Sequence, residues 1–146
     1  GQRWSHPFVE ERDGATWAFQ HNGSLNNETA DPDLIDSQVL FHLVLEGLDG
    51  RDHAAVARAT KTARERTIKE YGGFTGLNFM MTDGTALHAY RDFQTNGSYY
   101  TLYQERLDDM VISVSEPILA MKADPMPRGI LHTVTPDLAV QRTTVA

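Results

Sequence analysis

The chain has 146 residues, a length that suits one domain able to bury roughly 68–70% of its unfolded surface. Hydrophobic residues make up 40% of the sequence, and 20 acidic residues against 13 basic ones give a net charge of −7. This composition predicts a globular protein and disfavours nucleic acid or an anionic membrane surface as a partner. The sequence holds no cysteine, which excludes disulfides, thiolate metal sites and an internal cysteine nucleophile.

Location and cofactor use are constrained by simple sequence patterns. No apolar run is long enough to span a bilayer and no secretory signal opens the chain, so a cytoplasmic location is the simplest expectation. The six histidines are scattered and none has metal-ligand spacing, so neither a metal nor another cofactor is predicted. The chain begins with Gly1 rather than Met. We expect a single domain over residues 1–146, in a processed product or a fragment; the family resemblance described below implies that the domain is incomplete at its N-terminus.

The first part of the chain is predicted to form strands. Residues 1–8 are expected to be extended, and Asp13-Gly14 is typical of a turn between two short strands. Trp17 and Phe19 favour β structure and are spaced by two, so they are expected to face the same side of the second strand.

Asn22-Gly23 ends this second strand and permits two interpretations. Both residues tolerate positive φ, so the local pattern favours a hairpin turn. The alternative is a pair of exposed donors, the Asn22 side-chain amide and the Gly23 N–H, which can hold a developing oxyanion in acyl transfer. The polar segment 24–33 that follows does not resemble a return strand, which argues against a plain hairpin.

Two helices are predicted next. The first runs from about residue 34 to residue 48, and its start is expected to be capped by Asp33 or Asp36. The second is capped by Asp52 and runs to Tyr71, where Gly72-Gly73 ends it. Asp36-Ser37 also has a second interpretation, in which the carboxylate pairs with the ammonium group of an amino-acid ligand.

The rest of the chain is predicted to be β structure joined by tight turns. The strongest local signal is a hairpin about Asp83-Gly84. Further strands are expected at Tyr99–Tyr103, Met110–Ser115, Ile130–Val134 and Leu138–Val145. Because no crossover helices separate these strands, an α+β fold with antiparallel sheets packed against the two helices is favoured over a parallel sheet.

An ordered set of motifs resembles a known family. Ser5-His6-Pro7-Phe8, Trp17 to Gly23, and Ile35-Asp36-Ser37-Gln38 resemble the class II glutamine amidotransferase domain, in its stand-alone branch with an HPF motif before the HNG motif. Later segments resemble that branch in the same order: Asn78 to Gly84 with the downstream Arg91, Val114 to Ile118, and Gly129 to Leu131. The HNG motif alone is weak, but the ordered set is fairly specific.

The resemblance implies a fold and a reaction. The fold is the four-layer αββα sandwich of N-terminal-nucleophile hydrolases, of which this chain would be a part. The substrate is glutamine or another γ-glutamyl compound, and no cofactor is needed. An N-terminal cysteine attacks the γ-carbonyl and its own α-amine serves as base, which is covalent catalysis by an activated nucleophile.

The resemblance also implies roles for individual residues. Asn22 and Gly23 form the oxyanion hole. Asp36 binds the substrate α-ammonium, with Ser37 beside it in the same motif. His21 is expected to position the turn and His6 to order the pocket wall.

The sequence departs from the family pattern in several ways. The nucleophilic cysteine is missing. The family's early strands, and the arginine that holds the substrate carboxylate, should precede the HPF motif, and Arg3 lies too close to His6 to be that arginine. Ile35 and Gln38 replace the usual Thr and Glu around Asp36.

These departures leave three interpretations. In the first, the chain is the C-terminal part of an amidotransferase domain, and the nucleophile lies on an N-terminal segment or partner chain. In the second, it is a degenerate relative that binds an amino acid or a partner without catalysis. In the third, it is a structural α+β module in which Asn-Gly is a turn and Asp-Ser a cap. A homo-oligomer is compatible with each of them.

Overall fold

The computed structural model describes residues 5–118 and 121–146. Its elements in chain order are β1 (Phe8–Arg12), β2 (Ala15–Asn22), α1 (Asp36–Glu46), α2 (His53–Tyr71), β3 (Asn78–Thr82), β4 (Leu87–Arg91), β5 (Tyr103–Leu107), β6 (Met110–Val114), β7 (Ile130–Val134) and β8 (Val140–Thr144). Arg3 and the rest of residues 1–4 in the predicted extended segment lie outside the described residues. Neither helix within the described ranges has the length and apolar character needed to cross a membrane.

The central element is a six-stranded sheet of order β1-β2-β3-β4-β7-β8, and β5 and β6 form a separate two-stranded sheet. All neighbouring strands pair antiparallel. Both helices pack on one face of the large sheet, α1 against β2 and α2 against β8. The predicted α+β class with antiparallel sheets packed against helices is therefore confirmed.

The alternation of side chains along β2 divides the large sheet into two faces. Trp17 and Phe19 are each only 1% exposed and point toward the helices, as their spacing predicted. The Phe19 ring stacks on Phe41 of α1, with ring centroids 4.8 Å apart. Burial of side chains of this size is worth about 1.5–3 kcal/mol each, so this helix-covered face supplies most of the core.

The opposite face of the sheet carries a much smaller apolar cluster. Ala89, Leu102 and Met126 are buried there, and Met80 packs against them. Beside this cluster lies an apolar cavity of about 220 Å³ lined by Pro7, Ala18, Phe19, Gln20, Met80, Met81, Thr82 and Leu87. We call this side of the sheet the open face, because most of its side chains are only partly covered.

Helix α1 begins differently from the prediction. Its N-cap position is Ile35, so the expected cap at Asp33 or Asp36 is wrong. The Gln38 side chain reaches back and accepts a hydrogen bond from the Ile35 N–H at 3.2 Å. Asp36 is the first helical residue, and its carboxylate turns away from the helix to accept from the Leu25 N–H instead.

Both ends of α2 follow the sequence signals. The Asp52 side chain accepts from the Ala55 N–H at 2.8 Å, as an N-cap aspartate should. Gly72 adopts a left-handed conformation with φ of 71° and ends the helix. The hairpin about Asp83-Gly84 is also confirmed, since β3 and β4 pair up to Thr82 and Leu87.

The strand predicted at Tyr99–Tyr103 is wrong. The N–H groups of Tyr99 and Tyr100 both donate to the Asn96 carbonyl, which makes a turn, and β5 begins only at Tyr103. The Arg91 guanidinium takes the Gly97 and Tyr100 carbonyls, which are therefore unavailable to a neighbouring strand. Aromatic β propensity is overridden here by one buried cation.

Candidate functional site

The chain does not turn back at Asn22-Gly23. The last residue of β2 is Asn22, and its partner in the sheet is Asn78 of β3 rather than a residue of a following hairpin strand. Gly23 continues with a φ of 145°, and Leu25 then bridges to Phe74. The interpretation of Asn22-Gly23 as a hairpin turn is therefore wrong.

Glycine is required at position 23. A Cβ at this position would overlap the carbonyl oxygen of Gly76, which lies directly against the backbone. No L side chain fits so close an approach, and φ of 145° is itself strained for any other residue. The Gly23 N–H is thus placed by backbone packing against the segment before β3.

Two hydrogen-bond donors remain unused at this strand end. Within the described residues, neither the Asn22 side-chain amide nor the Gly23 N–H has a hydrogen-bond partner. Asn22 is exposed and Gly23 is half-buried. Two free donors on adjacent residues can stabilise a negative oxygen that both of them reach.

His21 connects this strand end to the neighbouring elements. It is 8% exposed, with Nε2 3.1 Å from the Gly76 carbonyl and Nδ1 3.0 Å from the Ser37 hydroxyl. Because a carbonyl only accepts, Nε2 carries the proton and the Ser37 hydroxyl donates to Nδ1. Burial lowers the pKa of His21 to about 4, so the ring is neutral at pH 7.

Asp36 lies next to Gly23 at the start of α1. Its Oδ2 accepts from the Leu25 N–H at 2.9 Å, which fixes the direction of the carboxylate. Asp36, Ser37 and Gly23 line one open cleft together with Glu28, Thr29, Pro32, Leu34 and Ile35. The half-buried carboxylate therefore faces the same space as the strand end, where it can attract a cation.

His6 and Asn22 meet in a second cavity, on the open face. This cavity has a volume of about 250 Å³ and is lined by His6, Gln20, His21, Asn22, Asn78, Phe79, Met80, Thr101, Leu102 and Ser115. The His6 ring packs edge-on against Phe8 with centroids 4.7 Å apart, and this partial burial lowers the pKa of His6. The structure thus places all six predicted site residues around the end of β2, with Asn22 and Gly23 on adjacent cavities.

Thr75 supports the Gly23 loop from behind, and sequence reasoning missed it. Its Oγ1 accepts from the Ser24 N–H at 3.0 Å and from the Tyr100 hydroxyl at 2.8 Å. Its own N–H donates to the Ser24 carbonyl at 2.9 Å. The segment around Gly72 to Gly76 was interpreted only as a helix stop and strand entry, so no local signal indicated this role.

Arg91 holds the outer part of the same support. Its guanidinium donates to the backbone carbonyls of Gly97, Tyr100 and Met126 at 2.8–2.9 Å. Tyr100 is thereby held with its ring against Gly76, where any side chain would overlap it. Arg91, Tyr100 and Thr75 form a continuous chain of contacts to the loop after Gly23.

In the parts of the chain that the structure describes, no group of three or more His, Asp or Glu side chains is arranged to hold a metal ion.

Comparison with known proteins identifies similar sequences and folds. The sequence profile of the family described as glutamine amidotransferases class-II matches residues 2–112. None of the curated proteins matches the sequence significantly.

Three solved structures share the fold. A predicted glutamine amidotransferase from Pseudomonas aeruginosa matches with a TM-score of 0.65 and 17% identity, over 96% of this chain and 65% of that one. A glutamine aminotransferase class-II domain protein from Silicibacter pomeroyi matches with a TM-score of 0.67 and 24% identity, over 95% of this chain and 70% of that one. Glutamine phosphoribosylpyrophosphate amidotransferase from B. subtilis, complexed with ADP and GMP, matches with a TM-score of 0.69 and 16% identity, over 100% of this chain and 33% of that one. Identities this low show likeness of fold alone. The chain spans between a third and about two thirds of the length of these proteins.

Proposed function

The chain belongs to the class II glutamine amidotransferases, and from this premise we propose that it supplies the oxyanion hole and the substrate-binding carboxylate of a γ-glutamyl amide hydrolase. The nucleophile is an N-terminal cysteine on a segment outside this chain. The observation that carries the proposal is that β2 ends in two unbonded donors on adjacent residues, Asn22 Nδ2 and the Gly23 N–H, and that Gly23 lines a cleft together with Asp36.

The two donors act when charge develops on the γ-carbonyl oxygen. The cysteine thiol proton passes to the α-amine of the same residue, the sulfur bonds to the carbonyl carbon of the γ-carboxamide, and the carbonyl electron pair moves to oxygen, where Asn22 and Gly23 hold it. The C–N bond then breaks, and the nitrogen leaves as ammonia with a proton returned by the α-ammonium of the nucleophile. Water hydrolyses the resulting thioester to glutamate.

Asp36 binds the other end of the substrate. Its carboxylate is oriented by the Leu25 N–H through one oxygen, and the substrate α-ammonium takes the other. A charged pair of this kind sets orientation as well as affinity. His21 and Ser37 keep the strand end and the helix start in register, since their side chains bond each other between the two elements.

The open face of the sheet supports the proposed source of the nucleophile. Asn22 projects from that face, and the apolar cavity beside it is only partly covered by this chain. A second sheet packed there would bury Ala18, Met80 and Leu87 and would carry its own residues to Asn22. The αββα arrangement of the family has this geometry.

One observation favours a second candidate function. The chain contains no cysteine, so by itself it has no thiol nucleophile. A catalytically inactive relative would keep Asp36 and bind glutamine or a γ-glutamyl compound without turning it over.

The test is a γ-glutamyl hydrolase assay on the full-length product of the gene that encodes this chain. We expect ammonia release from glutamine, abolished by a glutamine analogue that alkylates the nucleophilic thiol. Glutamine binding by calorimetry without ammonia release would support the inactive relative instead. Neither binding nor turnover would reject both functions and leave a structural module.

A further inference from the structure

Asn78 lies directly beside the proposed oxyanion donor. It is the first residue of β3 and the sheet partner of Asn22. Opposite residues of antiparallel strands present their side chains on the same face, with Cβ atoms about 4.5–5.5 Å apart. Both side chains line the cavity of about 250 Å³ on the open face.

The Asn78 amide has a fixed orientation. Its Nδ2 donates to the Thr101 carbonyl at 3.1 Å. If the Asn78 amide were flipped, its Oδ1 would face the Thr101 carbonyl oxygen, and two acceptors would oppose each other without a proton between them. Oδ1 therefore points away from Thr101.

Oδ1 is buried and has no hydrogen-bond partner. The residue is 4% exposed, and among the described residues Asn78 is the one residue of the cavity lining that carries an unpartnered buried side-chain atom. Leaving a buried acceptor unpaired costs about 1–3 kcal/mol. A residue that lines a cavity and carries such an atom can accept a hydrogen bond from a donor that arrives with a ligand.

The nearby donors on the protein do not serve this acceptor. The N–H of His21 is used by the Gly76 carbonyl. The Asn22 amide is unbonded, and in the proposed function it is directed at the substrate oxygen.

We propose that Asn78 Oδ1 accepts a hydrogen bond from the carboxamide N–H of the bound γ-glutamyl substrate, and so selects a primary amide over an ester. The inference rests on the proposed function. A primary amide presents an oxygen acceptor and an NH₂ donor side by side. Asn22 and Gly23 supply donors for the oxygen, and Asn78 supplies the acceptor for the nitrogen.

The consequence is a specificity that can be measured. A site built to pair a substrate N–H discriminates against an analogue that lacks it, because the buried partner on the protein is then left unpaired. L-Glutamine and L-glutamate γ-methyl ester form the same acyl-enzyme but differ at this group. The ratio of their kcat/KM values reports the interaction in the acylation step.

The experiment compares two variants of the full-length protein on both substrates. Asn78→Leu removes the acceptor together with the Thr101 contact, whereas Asn78→Asp keeps an oxygen acceptor and loses the N–H that holds Thr101. We expect Asn78→Leu to lower kcat/KM for glutamine about 10–100-fold and for the ester less than about threefold. We expect Asn78→Asp to keep an amide-to-ester ratio close to that of the wild type.

Asn26 provides the matched control. Its Nδ2 also donates to a backbone carbonyl, that of Gly72 at 3.0 Å, but the residue is exposed and lies outside the cavity lining. Asn26→Leu should leave the ratio unchanged. Thermal unfolding of each variant separates loss of fold from loss of specificity, and if Asn78→Leu does not fold, Asn78→Ala takes its place.

The outcomes are distinct. An unchanged ratio in Asn78→Leu or its substitute, or equal changes of the ratio in the Leu and Asp variants, would show that Asn78 only anchors Thr101 and would overturn the inference. If the wild-type protein turns over neither substrate, the proposed function itself fails and the inference fails with it.

Discussion

The two faces of the six-stranded sheet differ sharply, although the same strands build both. On the helix-covered face, Trp17, Phe19 and Tyr90 are buried completely or nearly so and pack into one apolar core. On the open face, Gln20 and Asn22 are exposed and two cavities lie above the strands. Side chains along β2 therefore alternate between the apolar core and the face that carries the cavities.

This difference predicts that substitutions on the two faces have different kinds of effect. A change on the helix-covered face removes packing and is felt as lost stability, whereas a change on the open face leaves the core intact and is felt in binding or turnover. His21 lies at the boundary, because it is buried among core residues while its ring nitrogens hold Ser37 and Gly76 beside the site.

The largest expected effect is on the helix-covered face. Phe19→Ala should lower the free energy of unfolding by about 3–5 kcal/mol, since it leaves a cavity against Phe41 and Phe79. Urea unfolding of the variant and the wild type measures this loss. Gln20→Ala, one residue away on the other face, should cost less than about 0.5 kcal/mol. Equal losses for the two variants would contradict the division between the faces.

The next effect is on turnover. Asn22→Ala in the full-length protein should lower kcat for glutamine about 10²–10³-fold, because the proposed role of its amide is to donate to the oxyanion. Its unfolding curve should match that of the wild type, since the side chain is exposed. A kcat near the wild-type value would remove Asn22 from the oxyanion hole.

A substitution in the cleft should act on binding instead. Asp36→Asn keeps an acceptor for the Leu25 N–H but removes the charge, and we expect KM for glutamine to rise about 10–100-fold. The effect is below the ~2–5 kcal/mol of a fully buried charge pair because Asp36 is half-buried. A glutamine analogue without the α-amino group should have the same KM with the wild type and with Asp36→Asn. An unchanged KM for glutamine would exclude Asp36 as the ammonium partner.

Stability should depend on pH through buried histidines of the core. Burial lowers the pKa of His88 to about 4, whereas an unfolded histidine titrates near 6.5. Between these values the unfolded state binds more protons, so stability is complete above pH 6.5 and falls as the pH drops toward 4. Urea midpoints at pH 7 and pH 5 measure this, and His88→Gln should flatten the dependence. A higher midpoint at pH 5 would contradict it.

The smallest effect concerns the support behind Gly23. Tyr100→Phe removes the hydroxyl that donates to Thr75, and a net hydrogen bond of about 0.5–1.5 kcal/mol predicts a kcat roughly 3–10-fold lower with KM unchanged. The neighbouring Tyr99 is 64% exposed, so Tyr99→Phe is the matched control. If both variants keep full kcat, Tyr100 does not position the loop.

Local pattern predicted much of the fold because its signals were short-range. The Asp52 cap, the Gly72 stop and the Asp83-Gly84 hairpin each depend on residues within a few positions of one another. The strand expected at Tyr99–Tyr103 failed because Arg91, outside the segment, takes the Tyr100 carbonyl within it and the Gly97 carbonyl just before it.

The candidate site could be proposed from the sequence only as far as its motifs reach. Asn22, Gly23 and Asp36 could be named from the resemblance, but their surroundings depend on contacts distant in sequence. Gly23 is fixed by the Gly76 carbonyl, and the loop after it by Thr75 and Tyr100. Nothing in the local sequence of Asn78 indicates that one of its amide atoms is buried without a partner.

The most direct measurement is a crystal structure of the full-length protein after reaction with a glutamine analogue that alkylates the nucleophilic thiol. The account predicts the analogue's carbonyl oxygen within hydrogen-bonding distance of both Asn22 Nδ2 and the Gly23 N–H, with its α-ammonium on the Asp36 carboxylate. An adduct whose oxygen lies away from residues 22 and 23, or whose ammonium is bound by a different acid, would contradict it.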